Sequence, residues 1–300
     1  MAELGLGLLS NHEPAAYERI AVRAEAAGID VVSVFHDLGF QPAIGPLVLI
    51  ARATERVRVG PAALNPSTLH PYEIAGQIAF LDVVSGGRAH LGLVKGAWLD
   101  RLGLEEERPL LALQETVEIV RRLLAGDTGG FAGERFTLAP GMRLEYPILR
   151  PDVPLLVGTW GRKTAEWAAG VADELKLGGS ANPDLVRLVR GWVGDRVRIV
   201  TGCVTVVDDD RRAARELARA AVAPYLDVVA KLDPTLELVP GDEAPLDRFA
   251  IAGTPEDVAA RVAELWEAGA DRVELGTPQG RTTEAGVALV CDRVLPLLRT

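Results

Sequence analysis

Residues 85–98 read SGGRAHLGLVKGAW, and the parsing of the whole chain follows from this stretch. The helical spacing that precedes it stops at Gly86-Gly87, where glycine can adopt the left-handed backbone that closes a helix. Residues 89–94 then form a compact apolar run, the pattern of a strand covered on both faces. The run opens into Lys95-Gly96-Ala97-Trp98, where accessible backbone, a cation and an aromatic ring meet. Helix, glycine turn, buried strand and a chemically unusual strand end make one repeat of a parallel α/β sheet.

The repeat extends in both directions. Apolar or β-branched runs at 4–9, 30–35, 57–60, 89–94, 154–157, 174–177, 197–207 and 272–275 read as strands. Amphipathic stretches at 14–28, 43–54, 70–85, 110–125, 162–170, 183–193, 208–230, 254–269 and 282–298 read as helices. Alternation on this scale predicts an α/β fold, a (β/α)8 TIM barrel with an insertion after strand 4. A doubly wound open sheet is the competing architecture. Residues 126–151, rich in glycine, proline and phenylalanine, form the insertion, with a small hairpin around 133–138. Residues 231–249, rich in proline, glycine and acid, read as a lid-like loop. We expect residues 1–300 to form a single domain, since barrels of this class commonly run to about 250 residues or more.

Composition narrows the function. With 48% hydrophobic residues the chain can bury a large core, and its net charge of −10, without a basic stripe, argues against nucleic-acid binding. No apolar run approaches the ~20 residues needed to span a bilayer. The start carries neither a cationic region nor a cleavage pattern, so a cytoplasmic protein is expected. Cys203 and Cys291 lie far apart, which suits two reduced, packed thiols. None of the four histidines has HExxH spacing, so no catalytic metal is expected.

A barrel places its chemistry at the C-terminal ends of the strands, and the unusual residues of this chain cluster there. His36 and Asp37 follow strand 2; adjacent on a strand they would face opposite ways, so both reach one ligand only if the chain turns. A histidine there suits proton transfer. After strand 5, Gly158-Thr159-Trp160-Gly161-Arg162-Lys163 combines close backbone approach, a helix start and two cations, which suits an anion such as phosphate. The spacing excludes a Walker A loop. Trp98 and Trp160 can wall a flat ring, whereas Trp167, Trp192 and Trp266 sit on helices and read as packing. His90 reads as core and His70 as a helix cap. His12 follows strand 1 and could face the mouth. Arg88 is expected to pair with a carboxylate at the opposite end of the barrel.

Four stretches carry a resemblance: VRVGPAALNPSTLHP, SGGRAHLGLVKGAW, PLLVGTWGRKTAEWAAGVAD, and AGTPEDVAARVAEL with GADRVELGTP. In family order they span nearly the whole chain, which resembles the luciferase-like flavin- and deazaflavin-dependent oxidoreductases. Its nearest look is the F420-dependent methylenetetrahydromethanopterin reductase branch. The resemblance implies a flavin-like ring at the C-terminal mouth, with the cofactor phosphate near residues 158–163. It also implies a bulge after strand 3 backing the ring, with a non-proline cis peptide near Ala62–Ala63. Ala62, Ala63, Leu64, Asn65, Lys95, Gly96, Trp98, Gly158, Thr159, Trp160, Gly161, Arg162 and Lys163 are thus the expected cofactor-binding residues, and His36 and Asp37 the catalytic ones. The family shows Asp-His or Glu-His after strand 2; here the order is His36-Asp37, so which residue handles the proton is open. Asp100 is the nearest acid after strand 4.

The expected activity is hydride transfer between the F420 deazaflavin C5 and a small organic substrate. An FMN-dependent monooxygenase and a catalytically degenerate flavin-binding barrel are the alternatives. The longer polyanionic tail of F420 asks for rim cations, for which Lys95, Arg162, Lys163, Lys176 and Arg281 are candidates. The resemblance further implies a homodimer through early barrel helices, where the apolar run at 46–51 fits an interface or the core equally well.

Overall fold

A computed structural model describes residues 2–236 and 245–299. Its first third alternates β1 (Glu3–Leu8), α1 (Pro14–Ala27), β2 (Val31–Val34), α2 (Ile44–Ala53), β3 (Arg58–Pro61), α3 (Pro71–Ser85) and β4 (Leu91–Leu93). After α4 (Pro109–Leu124) the chain makes the antiparallel hairpin of β5 (Phe131–Ala132) and β6 (Thr137–Leu138). The alternation resumes with β7 (Leu155–Gly158), α5 (Arg162–Ala168), β8 (Glu174–Gly178), α6 (Pro183–Val193), β9 (Arg198–Val207) and α7 (Arg211–Leu232). The last part holds β10 (Ala250–Gly253), α8 (Pro255–Glu267) and β11 (Arg272–Gln279). It ends in α9 (Thr283–Leu289), a π turn at Val290–Val294, and α10 (Leu295–Leu298).

The strands pair in parallel in the order β3-β2-β1-β11-β9-β8-β7-β4. Isolated parallel bridges, Val59 to Ala89 and Leu64 to Leu93, close β3 onto β4. First and last strands are neighbours, Leu6 opposite Leu275, so this is the barrel and not the open sheet. β10 is a strand that the sequence pattern does not announce, for it is only AIAG between an acid-rich loop and a helix cap. It pairs with the upper half of β9 (Val204–Val207), beyond the part of β9 that pairs with β8. β11 runs to Gln279, four residues past the expected end, with a register shift after Gly276.

Alternation decides what fills the barrel. On β1, Leu4, Leu6 and Leu8 are buried apolar residues of the main core, while a Cβ at Gly5 would stand 3.2 Å from Glu274 and one at Gly7 3.0 Å from its carboxylate. The interior is therefore charged where such barrels usually hold branched aliphatics. Arg272, fully buried, donates to Glu174 at 2.6 Å; Arg58 and Arg198 lie 3.6 Å from the same carboxylate and also pair with Glu3. These charges share partners, which offsets the desolvation each would suffer alone. His90, expected in the core, is buried there, and burial beside Arg272, Arg58 and Lys176 holds its imidazole well below the ordinary value.

Caps mark the helices. The His70 Nδ1 accepts from the Tyr72 N–H at 3.1 Å, as expected of a cap. Thr254 and Asp257 form a reciprocal capping box. α7 begins at Arg211, not at Asp208: Asp210 is its cap, and Asp208 pairs with Arg281. Arg88 does not find a carboxylate. It donates to the carbonyls of Ser85, Val57, Ala51 and Thr54, tying the ends of α2 and α3 to β3.

The segment after α4 is anchored by two buried carboxylates. Glu115 accepts the N–H groups of Glu134, Arg135 and Phe136 at 2.7, 3.0 and 2.8 Å, and Asp82 pairs with Arg150. Of the lid-like loop, residues 237–244 lie outside the described residues. No helix among the described residues is long and apolar enough to cross a membrane.

Candidate active site

A cavity of about 940 Å³ opens at the C-terminal ends of the barrel strands. Every barrel strand end contributes to its wall. Asn11 comes from β1, Phe35, His36 and Asp37 from β2, Ala62, Ala63 and Asn65 from β3, and Lys95, Gly96 and Trp98 from β4. Gly158, Thr159, Trp160 and Gly161 follow β7, Lys176 lies on β8, Cys203 on β9, and Thr277 and Pro278 on β11. The Ala62–Ala63 peptide bond is cis, where the resemblance put it, and Thr277–Pro278 is also cis.

β2 ends at Val34, so His36 and Asp37 sit in the irregular segment beyond it, and both line the cavity. The His36 Nδ1 accepts the Ala43 N–H at 3.2 Å, which leaves the proton of the neutral ring on Nε2. Burial lowers the His36 pKa, favouring that neutral form. Burial raises the Asp37 carboxyl, and the Lys176 ammonium opposes the rise. The Asp37 carboxyl is thereby moved toward the range in which protons are exchanged near neutrality, whereas His36 is held as a neutral imidazole there.

Trp160 is fixed by its Nε1–H donated to the Gly178 carbonyl at 2.9 Å. Trp98 has a φ of 53°, a left-handed backbone that a bulky side chain rarely adopts, and the Arg101 guanidinium lies 5.6 Å from its ring centroid. Asn65 turns its Oδ1 onto the N–H groups of Ser67 and Thr68 at 3.2 and 3.0 Å, so its acceptor serves the loop.

Leu64, Arg162 and Lys163 are not among the lining residues. Leu64 is fully buried in the main hydrophobic core. Arg162 lies one turn from Glu166 and bonds it at 2.8 Å, and Lys163 is exposed. α5 has only seven residues, which weakens the helix-dipole contribution expected there. Two expected rim cations are engaged elsewhere. Lys176 is not at the rim but buried in a pair with Glu274, and Arg281 holds Asp208 in a fork. Asp100 is exposed in a short 3-10 turn and does not line the cavity. His12 does not line it either; its ring packs edge-on against Tyr17, 5.3 Å between centroids.

One wall has no counterpart in the sequence reading. Tyr225, Val228, Val229 and Leu232 of α7 face the cavity, with Lys231 at the edge. Their i, i+3, i+4, i+7 spacing was a legible stripe, but such a stripe ordinarily packs on a barrel. Burial raises the Tyr225 phenol, and pushes the Cys203 thiol up to about 12, so that thiol is not a nucleophile at neutral pH. Among the described residues no group of acidic, histidine or cysteine side chains could hold a metal ion.

A family model described as luciferase-like monooxygenase matches residues 2–272. The chain is 28% identical to a 5,10-methylenetetrahydromethanopterin reductase of Archaeoglobus fulgidus, covering 92% of this chain and 93% of that one. It is 24% identical to an F420-dependent glucose-6-phosphate dehydrogenase of Amycolatopsis mediterranei, covering 93% of each. Among solved structures, the coenzyme F420-dependent tetrahydromethanopterin reductase of Methanopyrus kandleri superposes with a TM-score of 0.84, at 22% identity and 99% coverage of both chains.

Proposed function

The chain belongs to the luciferase-like monooxygenase family, and on that premise we propose that it is a coenzyme F420-dependent oxidoreductase, moving a hydride between the deazaflavin C5 and a small organic substrate. The observation that carries this reading is the cavity at the strand ends, walled by two indoles and glycine backbone, in a chain whose relatives are an F420-dependent dehydrogenase and a methylenetetrahydromethanopterin reductase.

The residues fit such a cofactor. About 940 Å³ is at the upper end of ordinary ligand pockets, enough for a tricyclic ring with a substrate beside it. A Cβ at Gly178 would meet no atom within 4 Å, and one at Gly161 only the Thr159 hydroxyl at 3.8 Å. Glycine thus keeps backbone open to a ligand at these cavity positions. In this reading Ala62, Ala63 and Asn65 back the ring, Leu64 supports their bulge from the core, and Trp98 and Trp160 wall it. The backbone at 158–161 takes the phosphate, with Lys95, Arg162 and Lys163 adding charge at the rim. Bound there, the cofactor supplies two-electron hydride chemistry. The chain orients the partners, excludes water with the α7 wall, and holds or delivers a proton from the His36 Nε2 or the Asp37 carboxyl. We extend the proposal to a homodimer: Phe80 and Val83 are 52% and 47% exposed on α3, a helix that packs against α2.

One observation favours a second reading, an FMN-dependent enzyme. Lys176 and Arg281, and Arg162 through Glu166, already hold carboxylates, which leaves fewer free cations for a polyanionic tail than for a single phosphate. Titration of the cofactor-free protein with F420 and with FMN separates the two. Our reading expects F420 to bind at least tenfold more tightly; tight FMN binding with none of F420 overturns it.

A further inference from the structure

Beneath the cavity lies a charged pair that the chain makes unusual room for. Lys176 and Glu274, on β8 and β11, point into the barrel with side-chain exposures of only 8% and 1%. The Ser33 hydroxyl donates to the other Glu274 oxygen at 2.9 Å, and the Phe35 ring centroid lies 5.5 Å from the ammonium. A Cβ at Gly202 would come within 3.1 Å of the Lys176 Cε, and one at Gly7 within 3.0 Å of the Glu274 carboxylate. Glycine at these two positions leaves room for the pair and for the Phe35 ring beside it, which a Cβ at Gly7 would meet at 2.7 Å.

An ammonium has three donors, and among the described residues Glu274 is the one hydrogen-bond partner of the Lys176 ammonium. The side chain also lines the cavity, and it is the buried cation there; Lys95 and Lys231 are exposed at the rim. Glu274 and Ser33 fix its direction, and its charge is felt by both His90 and Asp37. A fixed donor at a cavity floor acts where negative charge develops, with no cost of reorganisation. In flavin-like rings, two-electron reduction places that charge on the pyrimidine edge, where a protein tunes the ring's electronics.

We propose that Lys176 is the redox-tuning contact of this site: its ammonium donates to an oxygen on the pyrimidine edge of the bound ring, so the cavity holds the reduced cofactor more tightly than the oxidised one. The inference rests on the F420 reading above. The test compares dissociation constants for F420 and for chemically reduced F420, measured anaerobically on wild type and on Lys176→Met/Glu274→Gln. The double variant removes both charges, so the fold is not left with an unpaired buried carboxylate. Near-ultraviolet circular dichroism verifies that it is folded. The preference for the reduced form should fall at least tenfold in the variant, equivalent to about 30 mV in the midpoint potential of the bound two-electron couple. A change of less than twofold, with wild type binding F420 normally, overturns the role of Lys176 alone. Failure of wild type to bind either form overturns this proposal together with the F420 reading.

Discussion

Replacing Glu274 by glutamine isolates the energetics of the cavity floor. The substitution keeps shape and one acceptor but leaves the Lys176 ammonium, 8% exposed, without its anion, and removes the charge facing Arg272. Breaking a buried pair from one side costs about 3–5 kcal/mol; because the amide oxygen still accepts from Lys176, the lower end applies, about 3 kcal/mol. In a chain of 300 residues that is a fall in Tm of roughly 5–10 °C. The double variant Lys176→Met/Glu274→Gln removes the orphaned charge and should recover at least half of the loss. The pH dependence has a definite sign. Burial alone would raise the Glu274 carboxyl, but Lys176, Arg272 and Ser33 outweigh it and hold the pKa below the ordinary value. A lowered folded pKa contributes stability above the unfolded value, near about 4.3, that is lost as pH falls through the folded one. Wild type and Glu274→Gln should therefore diverge at pH 7 and converge in acid. Urea unfolding at both pH values is the assay. A loss under about 1 kcal/mol at pH 7, or a double variant no more stable than the single, would refute this reasoning.

Four other substitutions probe separate parts of the account. Glu115→Gln should cost about 2–3 kcal/mol, because an amide cannot accept three N–H donors as a carboxylate does; amide exchange at 134–136 should accelerate, and unchanged exchange would contradict the anchoring role. Asp37→Asn should stabilise the protein only slightly at pH 7, because the exposed side chain is screened by solvent, and lose that advantage in acid, since a raised carboxyl pKa penalises the fold only where the group ionises; a pH-independent effect in urea unfolding would count against it. Gly276→Ala places a Cβ 2.5 Å from the Cys203 carbonyl, a backbone atom that cannot give, and should lower stability by about 2 kcal/mol or more by the same assay. Trp98→Ala should weaken F420 binding about tenfold by loss of stacking while leaving Tm nearly unchanged, because the ring is only half-buried; equal F420 affinity in fluorescence titration would remove it from the site.

Much of this was legible in the sequence because its signals are local. Glycine stops, proline-led helix starts and β-branched runs mark the eight barrel strands, and strand ends assemble a site wherever a barrel closes. The non-local parts were not legible. Lys176 belongs to ELKLG, whose alternation sends Glu174 and Lys176 inward, yet nothing nearby names Glu274, 98 residues away, as its partner. Arg88 looked like half of an ion pair because carbonyl acceptors leave no mark in a sequence. β10 is too short to have a period, and the α7 stripe has the same spacing whether it packs on a barrel or walls a cavity. The order His36-Asp37 looked disabling on a strand; the strand ends at Val34, so both residues reach the mouth.

The central claim is that the cavity at the strand ends holds a deazaflavin ring. A crystal structure of the protein soaked with F420 tests it most directly. The account predicts the ring inside the cavity, against the Ala62–Ala63 bulge and the indoles of Trp98 and Trp160, with the phosphate on the backbone at 158–161. A ring bound elsewhere, or a cavity without ring density at saturating F420, would contradict it.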